Sequence, residues 1–281
     1  MGVGITAAII SVSSLGFLCA ILLAVASKVM AVKTDERIER IRACLPGVNC
    51  GACGCSGCDG YAEALVVSDG FKTNLCIPGG DAVSMEISSI LGVEFEDVVE
   101  QIAVVHCRGD NRARRKKMIY NGIETCKAAL QLFGGQNLCT FGCLGFGDCA
   151  AVCPNGAICI ENGLAHIDTR KCTGCGLCAK TCPGKVIFTE ADTITTVVTC
   201  KNVEKGAMVR KKCSSGCIGC SRCVKECPAD AIVVTDNLAR IDYSKCTGCG
   251  NCAEVCVTGS IQQANFSGIF KAADQTRAGA R

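Results

Sequence analysis

The sequence predicts an α+β protein in three parts: a single N-terminal transmembrane helix, a small helical cysteine domain and two tandem cysteine-ligand modules. Three observations predict it. Residues Ile5 to Ser27 carry no charge, a compact cysteine group lies between Cys50 and Cys76, and the chain from Cys126 to Cys256 repeats itself at an offset of 74 residues. Cysteine makes up 28 of 281 residues, which signals either a disulfide scaffold or a dense set of metal ligands.

The repeat decides between them. At the 74-residue offset nine cysteines superimpose: Cys126, Cys139, Cys143, Cys149, Cys153, Cys172, Cys175, Cys178 and Cys182 fall on Cys200, Cys213, Cys217, Cys223, Cys227, Cys246, Cys249, Cys252 and Cys256. Gly145 falls on Gly219 and Pro154 on Pro228. This is a duplicated unit. Cys172-x2-Cys175-x2-Cys178-x3-Cys182-Pro183 and Cys217-x2-Cys220-x2-Cys223-x3-Cys227-Pro228 are both bacterial ferredoxin runs, and Cys246, Cys249, Cys252 and Cys256 give a third with Val257 in place of proline. In such a run three thiolates wrap one iron–sulfur cube, and the fourth ligates the neighbouring cube. The expected sets are therefore Cys172, Cys175, Cys178 with Cys153; Cys246, Cys249, Cys252 with Cys227; and Cys217, Cys220, Cys223 with Cys256. Each module then reads as a 2[4Fe–4S] ferredoxin-like unit, with strands following each Cys-Pro at Ala157–Ile160 and Ala231–Val234.

One half-module breaks the rule, because Phe146 stands where Cys220 predicts a cysteine. Cys143, Cys149 and Cys182 remain. Cys139 is the expected third loop ligand and Cys126 the reserve; a three-iron or lost cluster is the alternative. Zinc also takes four thiolates but does not need the repeated three-plus-one run. Disulfides suit short secreted scaffolds, and cysteines two residues apart pair awkwardly.

The uncharged stretch Ile5–Ser27 is long enough to span a bilayer. Lys28, Lys33, Arg37, Arg40 and Arg42 follow it, which puts the bulk of the chain on the cytoplasmic side of the cell membrane as a single-pass protein. A cleaved signal peptide fits less well, since no basic n-region precedes an overlong apolar stretch. Residues 31–43 read as a short amphipathic helix. Cys50-x2-Cys53-x4-Cys58-x17-Cys76 is a second kind of four-cysteine Fe–S ligand set, with Gly51, Gly54 and Gly57 letting the backbone wrap closely; zinc is the competing occupant. Residues 79–104 read as helical. Between Arg108 and Lys117 lie six basic residues against one acid, a solvated linker or a docking surface for an acidic redox partner. Nucleic acid is a poor fit at a net charge of +3 with no Trp. The organisation is then 1–28 anchor, 29–105 four-cysteine domain, 106–125 basic linker, 126–190 and 191–264 ferredoxin-like modules, and 265–281 a polar tail.

In this order the parts resemble the B subunit family of Rnf complexes, the ion-translocating ferredoxin:NAD+ oxidoreductases of bacterial membranes. Cys55 departs from the aromatic residue of the family's CGACGYPGC element, and the doubled module resembles the clostridial branch. The resemblance implies electron transfer from reduced ferredoxin through [4Fe–4S] clusters to membrane and flavin- or NAD-binding subunits, with Na+ or H+ moved outward and the lipid bilayer as the setting. No nucleotide loop, flavin site or activated nucleophile is present in the sequence, so this chain's own part is electron transfer. The alternative reading is a polyferredoxin subunit of another membrane oxidoreductase; a zinc-binding membrane protein is a further rival. Five clusters are expected, and a sixth drawing on Cys107, Cys126, Cys200 or Cys213 stays open. Iron and acid-labile sulfide counted on anaerobically purified protein check this: five four-iron clusters give about 20 irons per chain and six about 24, whereas a zinc protein is colourless.

Overall fold

The computed structural model describes residues 2–29, 35–68 and 70–263. It opens with helix α1, Gly2–Val29. The described side chains of α1, Ile10 and those from Val12 to Lys28, are exposed. Those of residues 2–9 and Ser11, where the uncharged stretch begins, lie outside the described residues. Among the described residues no helix is long and apolar enough to cross a membrane. The expected transmembrane helix is therefore removed from the fold class, which is a small mixed α/β protein with ferredoxin-like modules. The polar tail 265–281 also lies outside the described residues.

The small domain holds α2 (Glu36–Cys44), α3 (Cys58–Val67) and α4 (Gly80–Leu91), with short 3-10 turns at Thr73–Leu75 and Ile77–Gly79. Asp35 caps α2 by accepting from the Arg37 N–H. Ile41, Leu45, Tyr61, Ala62, Leu65 and Ile87 form its core together with Cys58 and Cys76. The buried Tyr61 hydroxyl bonds the Lys72 and Thr73 carbonyls at 2.9 and 2.8 Å and accepts from the Leu75 N–H at 3.3 Å. It thereby pins the segment that delivers Cys76.

The helix expected over 79–104 stops at Leu91. Gly92 adopts the left-handed conformation and donates to the Ser88 carbonyl, a C-cap that the preceding periodicity does not reveal. The β-branched run beyond it becomes β1 (Gln101–Val105).

The first module contains α5 (Cys126–Gln131), α6 (Asp148–Ala151), β2 (Ile158–Glu161), β3 (Leu164–Ile167), α7 (Leu177–Thr181) and β4 (Ile187–Ala191). The second contains β5 (Thr196–Val198), α8 (Gly206–Lys212), α9 (Arg222–Lys225), β6 (Ile232–Thr235), β7 (Leu238–Ile241), α10 (Asn251–Glu254) and β8 (Ile261–Gln263). β2–β3 and β6–β7 are hairpins in equivalent registers, turned by Asn162-Gly163 and Asp236-Asn237 at positive φ. The strands expected after each Cys-Pro are therefore present. β4 pairs antiparallel with β1, and β8 pairs antiparallel with β5. Hence the strand completing the first module comes from the segment assigned by sequence to the four-cysteine domain.

The basic stretch is built into both modules. Arg114 is buried, and its guanidinium donates to the carbonyls of Cys143 and Gly163 and to Asn111. Isolated β-bridges join Arg114 to Cys213 and Lys116 to Asn137. Arg108 donates to the Gly259 carbonyl at 2.8 Å. Arg112, Arg115, Lys116 and Lys117 stay exposed.

Gly219 has φ +65°, and a Cβ there would lie 2.8 Å from the Asn237 carbonyl oxygen of the hairpin turn. Gly219→Ala combines left-handed strain of about 1–2 kcal/mol with that clash. The thermal unfolding midpoint of the anaerobic protein is expected to fall by roughly 5 °C, measured by circular dichroism; an unchanged midpoint contradicts the packing of this turn.

Candidate metal centres

The cysteines cluster around enclosed spaces. Cys50, Cys53, Cys58 and Cys76 line a cavity in the small domain. Asn49 accepts from the Cys58 N–H at 2.8 Å and so ties the cysteine loop to the start of α3. Cys217, Cys220, Cys223 and Cys256 line another cavity in the second module. Both sets are those that the spacing predicts. Two more predicted sets are neighbours: Cys178 is surrounded by the sulfurs of Cys172, Cys175 and Cys153, and Cys252 by those of Cys246, Cys249 and Cys227.

In the half-module with Phe146, Cys126, Cys143, Cys149 and Cys182 line one cavity. Cys139 lines a different one, with Cys107, Cys200 and Cys213. The cause is local. Asp148 accepts from the N–H groups of Cys126 and Lys127 at 2.8 and 3.0 Å, clamping the start of α5 beside Cys149. Phe146 packs with Cys126, Ala129 and Leu144 and meets the Tyr120 ring edge-on. Cys139 is turned away, with Leu138 donating to the Arg115 carbonyl and Asn202 reaching the Cys139 sulfur at 3.5 Å. Sequence spacing holds Cys126 only in reserve, because it stands far from Cys143, Cys149 and Cys182 in the chain; an acid three residues after Gly145 offers no visible link to it.

The sulfurs line these cavities without converging on a point. Among the described residues no group of three or more His, Cys, Asp or Glu could hold a single metal ion. Four thiols standing apart around one space are the donor set of an iron–sulfur cube, whose ligands surround a polynuclear core.

Electrostatics show what the apo thiols lack. Burial, then neighbouring sulfurs, push Cys149 up to about 12 and Cys178 and Cys223 up to about 11. Burial likewise drives Cys76 to about 11. Thiolate ligands in these sites therefore need the positive charge of bound iron. Cys256 runs the other way. Burial would raise it, but bonds from Ser260, the Ile261 N–H and Thr258 hold it below the ordinary thiol value. N–H groups also meet sulfur at Cys153 from Ala157 and at Cys227 from Ala231, both at 3.3 Å, and at Cys172 from Ala103 at 3.4 Å. Such bonds tune a cluster's potential.

The sets adjoin one another. Cys175 is raised by burial and then by the sulfurs of Cys50, Cys172 and Cys153, which puts the small-domain set beside the first module. Lys180 donates to the Cys50 carbonyl at 2.6 Å across the same junction. Within the first module Cys149 senses both Cys182 and Cys178.

Family models agree with this division. Residues 45–78 match "Putative Fe-S cluster", 165–188 match "4Fe-4S binding domain" and 216–260 match "4Fe-4S dicluster domain". Among curated relatives, the B subunit of the Na(+)-translocating ferredoxin:NAD(+) oxidoreductase complex of Acetobacterium woodii is 39% identical over 232 residues, 82% of this chain and 69% of its own. The proton-translocating counterpart of Clostridium ljungdahlii is 43% identical over 251 residues, 88% of each chain. The chain belongs to the family of Rnf B subunits. A further member, the B subunit of the ion-translocating oxidoreductase complex of Methanosarcina acetivorans, is 40% identical over 251 residues, 89% of this chain and 95% of its own. The names of the first two relatives specify different ions, so membership of the family does not select one.

Cys126→Ser is expected to remove about four irons, and Phe146→Cys in the same background to restore them by rebuilding the regular loop. Iron analysis checks both; retention of iron in Cys126→Ser alone contradicts the role of this cysteine.

Proposed function

We propose that Cys50, Cys53, Cys58 and Cys76 hold one [4Fe–4S] cluster, that Cys126, Cys143, Cys149 and Cys182 hold a second, and that the three regular runs hold three more. The protein is an electron-transfer subunit of a ferredoxin:NAD+ oxidoreductase complex. Each cluster, when bound, supplies a site that takes and releases one electron. The residues do the rest: thiolates fix the sites at short range, backbone N–H groups meet sulfur, and aliphatic side chains keep water away.

The observation that carries the reading is adjacency. Lys180 of the first module donates to the Cys50 carbonyl, Cys50 is near enough to raise the Cys175 thiol, and Cys149 is raised by both Cys182 and Cys178. A row of sites leading from the modules to the small domain suits entry of electrons at the modules and exit through the Cys50–Cys76 set. Reduced ferredoxin is the donor in this reading. The exposed Arg112, Arg115, Lys116 and Lys117 give an acidic donor a surface on which charge speeds encounter. Flavin- and NAD-binding subunits receive the electrons. Membership of an ion-translocating complex makes the chain a membrane-associated subunit, with its thiols on the reducing, cytoplasmic side.

Cys76→Ser, in the assembled complex, is expected to lower the iron content by about four, leave the module clusters reducible by ferredoxin and abolish NAD+ reduction. Rapid reduction followed spectroscopically, with NADH formation assayed alongside, separates the steps. Normal NAD+ reduction with the small-domain cluster demonstrably absent overturns this direction of flow.

A further inference from the structure

The 74-residue offset pairs Cys126 with Cys200, but the strand registers pair a different residue. Val105 lies opposite Ile187 and Val198 opposite Ile261, and these two partners are themselves 74 residues apart. The leading strands therefore correspond as Val104-Val105-His106-Cys107 to Val197-Val198-Thr199-Cys200. The next backbone bonds agree: His106 donates to the Val186 carbonyl and Thr199 to the Ser260 carbonyl, both at 2.7 Å. Sulfur contacts agree as well. Cys107 accepts from the N–H groups of Cys143 and Gly109, and Cys200 from those of Cys217 and Asn202. Cys107 is thus the structural twin of Cys200, displaced in sequence by the basic segment inserted after β1. Cys139 and Cys213 are twins by the repeat offset.

These four cysteines meet. Cys107, Cys139, Cys200 and Cys213 line one cavity between the modules, as Cys217 and Cys50 line theirs with their own partners. Two glycines let the backbone come close: a Cβ on Gly109 would stand 3.2 Å from the Cys213 sulfur, and one on Gly142 would stand 3.4 Å from that of Cys107. Asn202 donates to the Cys139 sulfur. None of the four lies within a stretch matched by a family model.

We propose that Cys107, Cys139, Cys200 and Cys213 hold a sixth four-iron cluster, two thiolates from each module, at the junction between them. The set follows the same logic as the others: four sulfurs around one space, with N–H and amide donors aimed at them. Its position gives it a role. The Cys143 N–H meets the Cys107 sulfur at 3.4 Å, and the Cys217 N–H meets that of Cys200. The site therefore lies between the Cys143 cavity of one module and the Cys217 cavity of the other. It joins two otherwise separate pairs of sites into one row running from the Cys246 set to the small domain. The step it supports is outer-sphere transfer of a single electron, with no bond made or broken.

The inference rests on the reading of the other five sets as iron ligands, and metal analysis separates the two. Full-length protein purified without oxygen is expected to hold about 24 irons per chain, and Cys107→Ser and Cys213→Ser about 20 each. The double variant is also expected at about 20, because both changes remove one cluster; a merely structural role for the two cysteines gives no such non-additive loss of four. About 20 irons in the unaltered protein, undiminished by Cys213→Ser, overturns the sixth site and leaves the electron-transfer role standing. About 20 irons with one zinc that Cys213→Ser removes overturns it in the same way. Zinc throughout overturns the parent reading as well. Should the variants fail to fold, the count on the unaltered protein decides alone.

Discussion

Burial of sulfur is the constraint on which this molecule depends. Its two module cores mix aliphatic side chains with cysteines: Ile158, Leu164, Ile167 and Val186 with Cys143, Cys149 and Cys178 in one, and Val198, Ile232, Leu238 and Ile261 with Cys217, Cys223 and Cys252 in the other. A two-stranded hairpin and a four-residue helix are too small to stand alone. Burial raises Cys149, Cys178 and Cys223 well above an ordinary thiol. The sulfurs become good ligands only when iron offsets the cost of placing their charge away from water. Folding and cofactor binding are then one event.

Duplication supplies most of the sites, and departures from it supply the rest. The second module keeps Cys220 and uses the regular loop. Its counterpart has Phe146, and there Cys126 lines the cavity with Cys143, Cys149 and Cys182, carried in on a helix whose first N–H groups are held by Asp148. Cys200 is thereby left over in the second module, and Cys107 is left over in the first. The same two-fold relation that makes the modules alike brings these cysteines to a shared boundary.

The basic segment changes meaning once the fold is known. As sequence it is a run of charge between cysteine groups. In the structure Arg114 is buried and bonds the carbonyls of Cys143 and Gly163, while Arg108 reaches Gly259 in the other module. Positive charge here holds backbone carbonyls near the sulfur sites, and only the residues at its outer side keep charge in solvent.

The regular runs were legible in the sequence because their ligands are local: spacings of three residues fix which sulfurs share a loop, and a duplicated pattern makes chance negligible. The hairpins and the four-cysteine set at Cys50–Cys76 were legible for the same reason. The end of α4 at Gly92 and the strand beyond it were not, since apolar spacing continues through Val98 and Ile102 and only pairing with β4 makes Gln101–Val105 a strand. The apolar N-terminal stretch suggested a bilayer span, yet among the described residues no helix is long and apolar enough to cross a membrane. Whether Cys139 or Cys126 lines the cavity beside position 146 stayed open in the sequence, and that, with which four cysteines meet between the modules, depends on tertiary structure. Those ligands come from segments far apart in the chain, and strand register together with one carboxylate clamp determines where their sulfurs arrive.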